Sequence, residues 1–471
     1  MRTAKRYLFI VGIILASACS REPTQTSDER SDVRHPASVF LVTIDTLRAD
    51  KLSLYGNTTV RTPHLDALGR RGSTFLNAFA QSSTTTPSHA SLFSGVYPRD
   101  HKAYSNFESV DQELPSLAMD FALSGYETLA LVNMRHLNPN ISGIATHFET
   151  VIESQGHRNA AVSVDVLLDW LDSRDSGRPV FVWLHLVDVH TPYSPPPPFD
   201  RLYYHDDEHS DAHDSLEHIW PTLPDYLSNH PLFNAWLDDI RDVNWVIAQY
   251  EGAVSYVDYQ MGRLVHEVEQ RFGPERRPGW VVTSDHGENL GEHGMHFVHT
   301  GLYDTTIRVP LIIALPGYEE HNSMIHELTE LVDIRPTLLE YLGVDQIGPT
   351  RGRSLLPLLK GELAVTKDYI LSEHAGRSLA ALRTREWKYV AHQRTSQVEK
   401  SYPFEAGHEE LYDLRRDPQE RINVAKHHRE IIFAFREKLN SINGLSEFSA
   451  GDRPEIIAKD LEELRALGYV E

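Results

Sequence analysis

A single cysteine, Cys19, occurs in 471 residues, so no disulfide can form within the chain and its stability rests on packing. Long apolar runs are missing too. The longest run of apolar or small residues, Tyr7 to Ala18, has twelve members, well short of the roughly twenty that a membrane-spanning helix needs. Positive charge is scarce: 45 Lys+Arg face 67 Asp+Glu, a formal charge of -22. A surface that negative repels nucleic acid and anionic membrane, which sets aside DNA, RNA and basic-patch membrane binding. What is plentiful is histidine, at 26 residues, and a chain rich in His and Asp invites a search for metal ligands. A hydrophobic fraction of 41% is that of a globular protein, and the length suits roughly two to three domain-sized units.

Arg2, Lys5 and Arg6, followed by the apolar run, make a signal peptide. Its end, Leu15-Ala16-Ser17-Ala18-Cys19, resembles the bacterial lipoprotein cleavage box with the usual Leu displaced by one place. The expectation is a lipoprotein-type signal over residues 1–19, a lipid anchor at Cys19, and a protein facing the periplasm or the surface of a bacterial envelope. Ordinary secretory cleavage near Cys19, leaving a soluble periplasmic or secreted enzyme, is the alternative. Residues 20–37 are polar and aperiodic and read as a flexible tether.

From about Ser38 the chain alternates β-branched runs with helical patterns: a strand over 39–44, helices over 63–71 and 114–124, a strand over 127–132. This predicts an α/β fold with a large, mostly parallel sheet flanked by helices. Apolar runs at 180–187, 280–283 and 309–315 read as further buried strands. Residues 200–244 interrupt the rhythm and read as a solvated surface insertion, with an acidic substrate lid or a metal-rich loop as the alternatives. A helix follows Asp333-Ile334-Arg335-Pro336-Thr337 and stops at Gly343. Residues 366–425 then alternate around Trp387 and Tyr412, which predicts a small antiparallel C-terminal subdomain. The expected division is a catalytic domain over 38–350 and the subdomain over 351–471.

Asp45 ends the strand over 39–44, and Asp285-His286 ends the strand over 280–283, at the edge where open α/β sheets bind ligands. Together they suit one divalent cation (Ca, Mg, Mn or Zn) with positions left for substrate oxygens and water. In Thr84-Thr85-Thr86-Pro87-Ser88-His89, Pro87 fits the first turn of a helix that stops at Gly95. A threonine there is either an N-cap or a hydroxyl whose negative charge the helix terminus favours.

These residues carry a family resemblance. Asp45, the segment from Thr85 to Gly95, Asp188-Val189-His190-Thr191-Pro192-Tyr193, Ser284-Asp285-His286-Gly287-Glu288, Ile307-Arg308-Val309-Pro310, Leu411-Tyr412-Asp413-Leu414 with Asp417-Pro418, and Leu464-Arg465-Ala466-Leu467-Gly468-Tyr469 resemble the sulfatase family in its usual order. The resemblance spans nearly all of the chain after Cys19. It implies an alkaline-phosphatase-like core, a cation held by Asp45, Thr85, Asp285 and His286, and a nucleophile at Thr85. Sulfatases carry Cys or Ser there, oxidised to formylglycine, and threonine cannot become that aldehyde, so no formylglycine is expected. A threonine ester must be released by attack at sulfur or phosphorus, and this position resembles the phosphodiesterase and phosphotransferase branches of the superfamily.

Two further departures affect anion binding: the family's paired Asp-Asp is Asp45-Thr46, and its Gly-Lys-Trp-His segment is Val132-Asn133-Met134-Arg135-His136. Candidate replacements are Arg48 and His89, with Arg48 equally readable as a structural partner of Asp50. His190 and His299 are candidates for handling the leaving group, and Asp188, His190 and His299 for a second cation; His293 and His296 read as loop residues. The expected activity is metal-dependent hydrolysis of a sulfate or phosphate ester or diester on an anionic small molecule, glycan or lipid headgroup. A phospho-headgroup transferase of the envelope and a catalytically silent lipoprotein that binds anionic glycans are the alternatives.

Overall fold

Val39–Ile44 is six apolar or β-branched residues buried on both faces, and it lies at the centre of an eight-stranded sheet. The computed structural model describes residues 37–443 apart from 155, 176, 211–214, 319–322, 363–366, 375–377 and 394–404. The signal peptide, Cys19, most of the tether and the motif at 464–469 lie outside the described residues. The central strand pairs in parallel with Val180–Leu186 on one side and Gly279–Thr283 on the other, in a register that sets Ile44 opposite Leu186 and Thr43 opposite Thr283. Glu127–Val132 and Thr150–Glu153 continue the sheet in parallel beyond Val180–Leu186. Leu311–Ala314, Ser73–Phe75 and Met324–Ile325 complete the other edge.

Alternation along the central strand divides the core. Phe40, Val42 and Ile44 face a cluster that includes the helices Pro63–Arg71, Ala160–Asp172 and Val243–Phe272. Val39 and Leu41 face a second cluster with the helices Thr85–Ser94, Leu117–Leu123 and Ile334–Leu342. Helices on both faces explain why the central strands read as unbroken apolar runs. No helix among the described residues is long and apolar enough to cross a membrane.

The expected small antiparallel sheet is present, built from Ile370–His374, Leu379–Arg383, Trp387–His392 and Glu409–Asp413 in sequence order. One face packs Ile370, Leu379, Ala381 and Val390 against Phe79, Leu302, Ile307 and Leu328 of the larger part. The other face covers itself with the helix Arg429–Asn443.

Two expectations change. The strand read over 309–315 is divided at Pro310, which lacks the N–H a ladder needs. Arg308–Val309 pairs antiparallel with Ala78–Phe79, and Leu311–Ala314 runs antiparallel to Gly279–Thr283 in the main sheet. The insertion at 200–244 is not simply a solvated surface segment. It forms short helices whose Leu216, Leu227 and Phe233 join the main core, and Trp236 meets Tyr193 edge-on at 5.6 Å.

Candidate active site and cation-binding residues

The parallel register brings three chain exits to one edge. Asp45 N–H bonds to Leu186 O at 2.8 Å, which sets Asp45 beside the end of Val180–Leu186, and Ser284-Asp285-His286 leave from the strand on its other side. Donor atoms of Asp45, Asp285 and His286 all lie within 4.8 Å of one another, and all three residues are fully buried. His286 Nε2 is 3.4 Å from Asp285 Oδ2 and 3.8 Å from Asp45 Oδ1.

These residues fit a cation by their unmet needs. Neither oxygen of Asp45 nor Oδ2 of Asp285 accepts a hydrogen bond, and buried charge without a partner is strongly unfavourable. Burial raises the Asp45 carboxyl to about 8; burial, then the neighbouring Asp45, raises Asp285 to about 7. Burial keeps His286 neutral by lowering it to about 4. The outer contacts aim the same way: His286 Nδ1 donates to Gly287 O at 3.0 Å, which leaves the Nε2 lone pair facing the carboxylates. Asp285 Oδ1 accepts the His286 N–H at 2.9 Å, turning Oδ2 into the gap. A second group of possible ligands, His392, His408 and Glu410, is closed instead by a 2.6 Å hydrogen bond between His392 and Glu410, with Tyr303 donating to the other oxygen at 2.8 Å.

Thr85 opens the helix Thr85–Ser94, and Gly95 ends it with φ +73, a left-handed conformation that glycine adopts without strain. The threonine hydroxyl does not cap the helix. Thr86 N–H is satisfied by Asn106 Oδ1 at 2.9 Å, and Thr85 Oγ1 reaches across to His286 Nε2 at 3.2 Å. A second tie holds this approach, because Ser88 Oγ donates to Asp285 O at 2.6 Å. The hydroxyl therefore sits at the positive end of a helix beside the candidate cation ligands.

His299 and His190 join the site. The His299 ring centre is 4.4 Å from that of His286 and 6.1 Å from that of His190. Each donates from Nδ1 to a carbonyl, His299 to Ser83 O and His190 to Thr191 O, both at 2.7 Å. Burial, then His286, lowers His299 to about 3; burial, then His299, holds His190 well below its ordinary range.

Three assignments are corrected. The Arg48 guanidinium is taken up by Asp50 at 2.9 and 2.7 Å and Glu292 at 2.8 Å, the structural partnership weighed for it. His89 is fully buried with Nδ1 on Thr85 O and Nε2 on Thr43 Oγ1, so it braces the helix Thr85–Ser94 against the central strand. Asp188 takes the Ala160 N–H at 3.0 Å, at the start of Ala160–Asp172. Its donor atoms do not group with those of His190 and His299, so no second cation set forms from them among the described residues.

Two histidines escaped the sequence reading. His185 lies inside a buried apolar strand, with Nε2 3.3 Å from Asp45 Oδ2; a histidine breaking that run was its only signal. His374 arrives from the C-terminal sheet, with Nδ1 3.0 Å from Ser83 Oγ and 3.3 Å from Thr84 Oγ1. It is 289 positions from Thr85, and no local pattern marks it.

Comparison with known proteins agrees with this fold. The sulfatase family profile matches residues 37–344, and that of the N-sulphoglucosamine sulphohydrolase C-terminal region matches 291–444. Mouse (Mus musculus) arylsulfatase K is 25% identical over 488 residues, covering 94% of this chain and 86% of its own. A phosphonate monoester hydrolase of Agrobacterium radiobacter superposes with a TM-score of 0.68 at 23% identity, over 90% of this chain and 98% of that one. A structure solved in complex with its substrate D-glucosamine-2-N,6-O-disulfate superposes with a TM-score of 0.70 at 18% identity, over 87% and 99%. Its profile match, fold and site together place the chain in the sulfatase family, as a hydrolase of sulfuric or phosphoric esters.

Proposed function

We propose that Thr85 is the nucleophile of a phosphate- or phosphonate-ester hydrolase that works with a divalent cation held by Asp45, Asp285 and His286. The observation that carries this reading is the Thr85 hydroxyl 3.2 Å from His286 Nε2, freed from capping and set at a helix start. The cation supplies positive charge that favours an ionised Thr85 oxygen and offsets charge on the ester. His299 receives the Thr85 proton on Nε2, whose lone pair is left exposed by the Nδ1 bond to Ser83 O. Thr85 Oγ1 bonds to phosphorus as the bond to the leaving oxygen breaks, and His299 returns the proton to that oxygen. Water, giving a proton to His299, then attacks the same phosphorus; the P–O bond to Thr85 breaks, and His299 returns that proton to Thr85 Oγ1.

Phosphorus is favoured because a threonine ester, unlike a formylglycine hydrate, has no route to expel its oxyanion by breaking its own C–O bond. The fold shared with a phosphonate monoester hydrolase supports this choice. A sulfated glycan ester is the second reading, supported by the likeness to arylsulfatase K and to the sulphohydrolase C-terminal region. Turnover of an aryl phosphate monoester, a bis-aryl phosphate diester and an aryl sulfate by cation-loaded protein separates the two. Phosphoester turnover is expected, falling by about 10³-fold or more in Thr85→Ala with cation content unchanged. Retained activity in that variant overturns the nucleophile assignment. We also propose that a lipid on Cys19 holds the enzyme in the bacterial envelope. Cys19→Ser should move it from the membrane to the soluble fraction, and an unchanged membrane fraction argues against the anchor.

A further inference from the structure

His374 is the one imidazole at the reaction centre that comes from the C-terminal sheet. Its strand, Ile370–His374, is fastened to the segment that leads into the nucleophile helix: Glu373 N–H donates to Gln81 O at 2.8 Å and Ser372 Oγ to Ala80 O at 2.6 Å. The Glu373 carboxylate is gripped by Arg99 Nε at 3.0 Å and Nη2 at 2.7 Å, an ion pair whose side chains are 1% and 2% exposed. The ring of His374 is therefore delivered with little freedom to the turn that precedes Thr85.

Its hydrogen-bond partners differ in kind from those of its neighbours. His190, His286 and His299 each meet a backbone carbonyl at Nδ1, and a carbonyl only accepts. Those three neutral rings therefore carry hydrogen on Nδ1 and present a lone pair at Nε2. With His286 Nε2 turned to the cation gap, an anionic ester arriving above Thr85 meets the lone pair of neutral His299, which repels its oxygens. His374 Nδ1 faces the hydroxyls of Ser83 and Thr84, and a hydroxyl donates as readily as it accepts. Nδ1 can therefore accept and Nε2 carry the hydrogen. His374 is part-buried, and its Nε2 takes no hydrogen bond from any described residue. Burial, then His299, lowers its pKa to about 4, so it donates as a neutral ring.

We propose that His374 is a substrate-contacting residue that donates from Nε2 to a non-bridging oxygen of the phosphoryl or sulfuryl group bound over Thr85. This rests on the ester-hydrolase reading of the site, and it makes the C-terminal sheet a part of the anion subsite.

The test is binding of inorganic phosphate to cation-loaded protein by calorimetry, with KM and kcat measured alongside. His374→Ala should weaken phosphate binding and raise KM by about 10- to 100-fold, the range for a hydrogen bond to a charged group, with kcat much less affected. His374→Gln, whose amide also donates, should recover most of the loss. Cation content and thermal midpoint should match the parent in both. Unchanged phosphate binding in a folded, cation-loaded His374→Ala protein overturns the proposal. So does equal impairment of the Ala and Gln variants with loss of cation, which assigns His374 to structure alone. The same comparison in a Thr85→Ala background keeps the two readings apart, because phosphate binding there reports on His374 whether or not Thr85 is the nucleophile.

Discussion

Asp45 and Asp285 hold the electrostatic tension of the molecule. With no cation their folded pKa values, about 8 and about 7, stand above the ordinary carboxyl value of 3.8. A group raised on folding adds stability at pH values below its unfolded pKa and loses it as pH rises through the folded value. The cation-free protein should therefore weaken steadily from about pH 4 to pH 8 as the two carboxyls are forced to ionise. Cation binding must displace those protons, so affinity should rise across pH 6 to 8 with measurable proton release. The gap in thermal midpoint between EDTA-treated and cation-loaded protein should accordingly widen from pH 6 to pH 8. A gap that stays constant or narrows would show that these carboxylates do not hold the cation.

At the scale of elements, the turn after Gly279–Thr283 is positioned by close backbone approach. Gly287 donates its N–H to Thr306 O at 2.7 Å, and a Cβ there would lie 2.1 Å from Thr305 O. Rigid backbone leaves no room for it, so Gly287→Ala must push the Asp285-His286 turn away from Asp45 and Thr85. A loss of about 1–3 kcal/mol in stability is expected, as for other overpacked sites, together with weaker cation binding. A titration of cation into the variant checks both, and parent-like affinity would mean that the turn tolerates displacement. The helix Thr85–Ser94 is held by the same logic from the other side, through Ser88 to Asp285 O and His89 to Thr43.

At the scale of the whole molecule, two sheets share one site. Phe79, Leu302, Ile307 and Leu328 share a buried cluster with the C-terminal sheet, and Arg99–Glu373 fastens that sheet close to the helix Thr85–Ser94. Arg99→Met strands a buried carboxylate, for which about 3–5 kcal/mol of stability should be lost. If Glu373 holds His374 in place, activity should fall in the same variant even under conditions where it remains folded. Urea unfolding with parallel kinetics tests this, and an unaffected KM would separate the ion pair from the site.

Periodicity and strand-end placement made the central sheet, the helix starts, Asp45, Asp285, His286 and Thr85 legible in the sequence, because each follows from local pattern within a few residues. That the Thr85 hydroxyl reaches His286 instead of capping its helix was not legible, because His286 is 201 positions away. Arg48, His89 and Asp188 are chemically apt for anions or cations in one dimension, and only folding revealed that carboxylates engage Arg48, a hydroxyl and a carbonyl engage His89, and a helix start takes Oδ1 of Asp188. His185 and His374 were invisible for the converse reason: one is buried in an apolar run, the other lies on a distant sheet. By itself the sequence determined the family, the fold class and the residues that bear charge at the sheet edge. The tertiary structure decided which polar groups are left unsatisfied there, since hydrogen-bond satisfaction depends on neighbours that only long-range packing supplies.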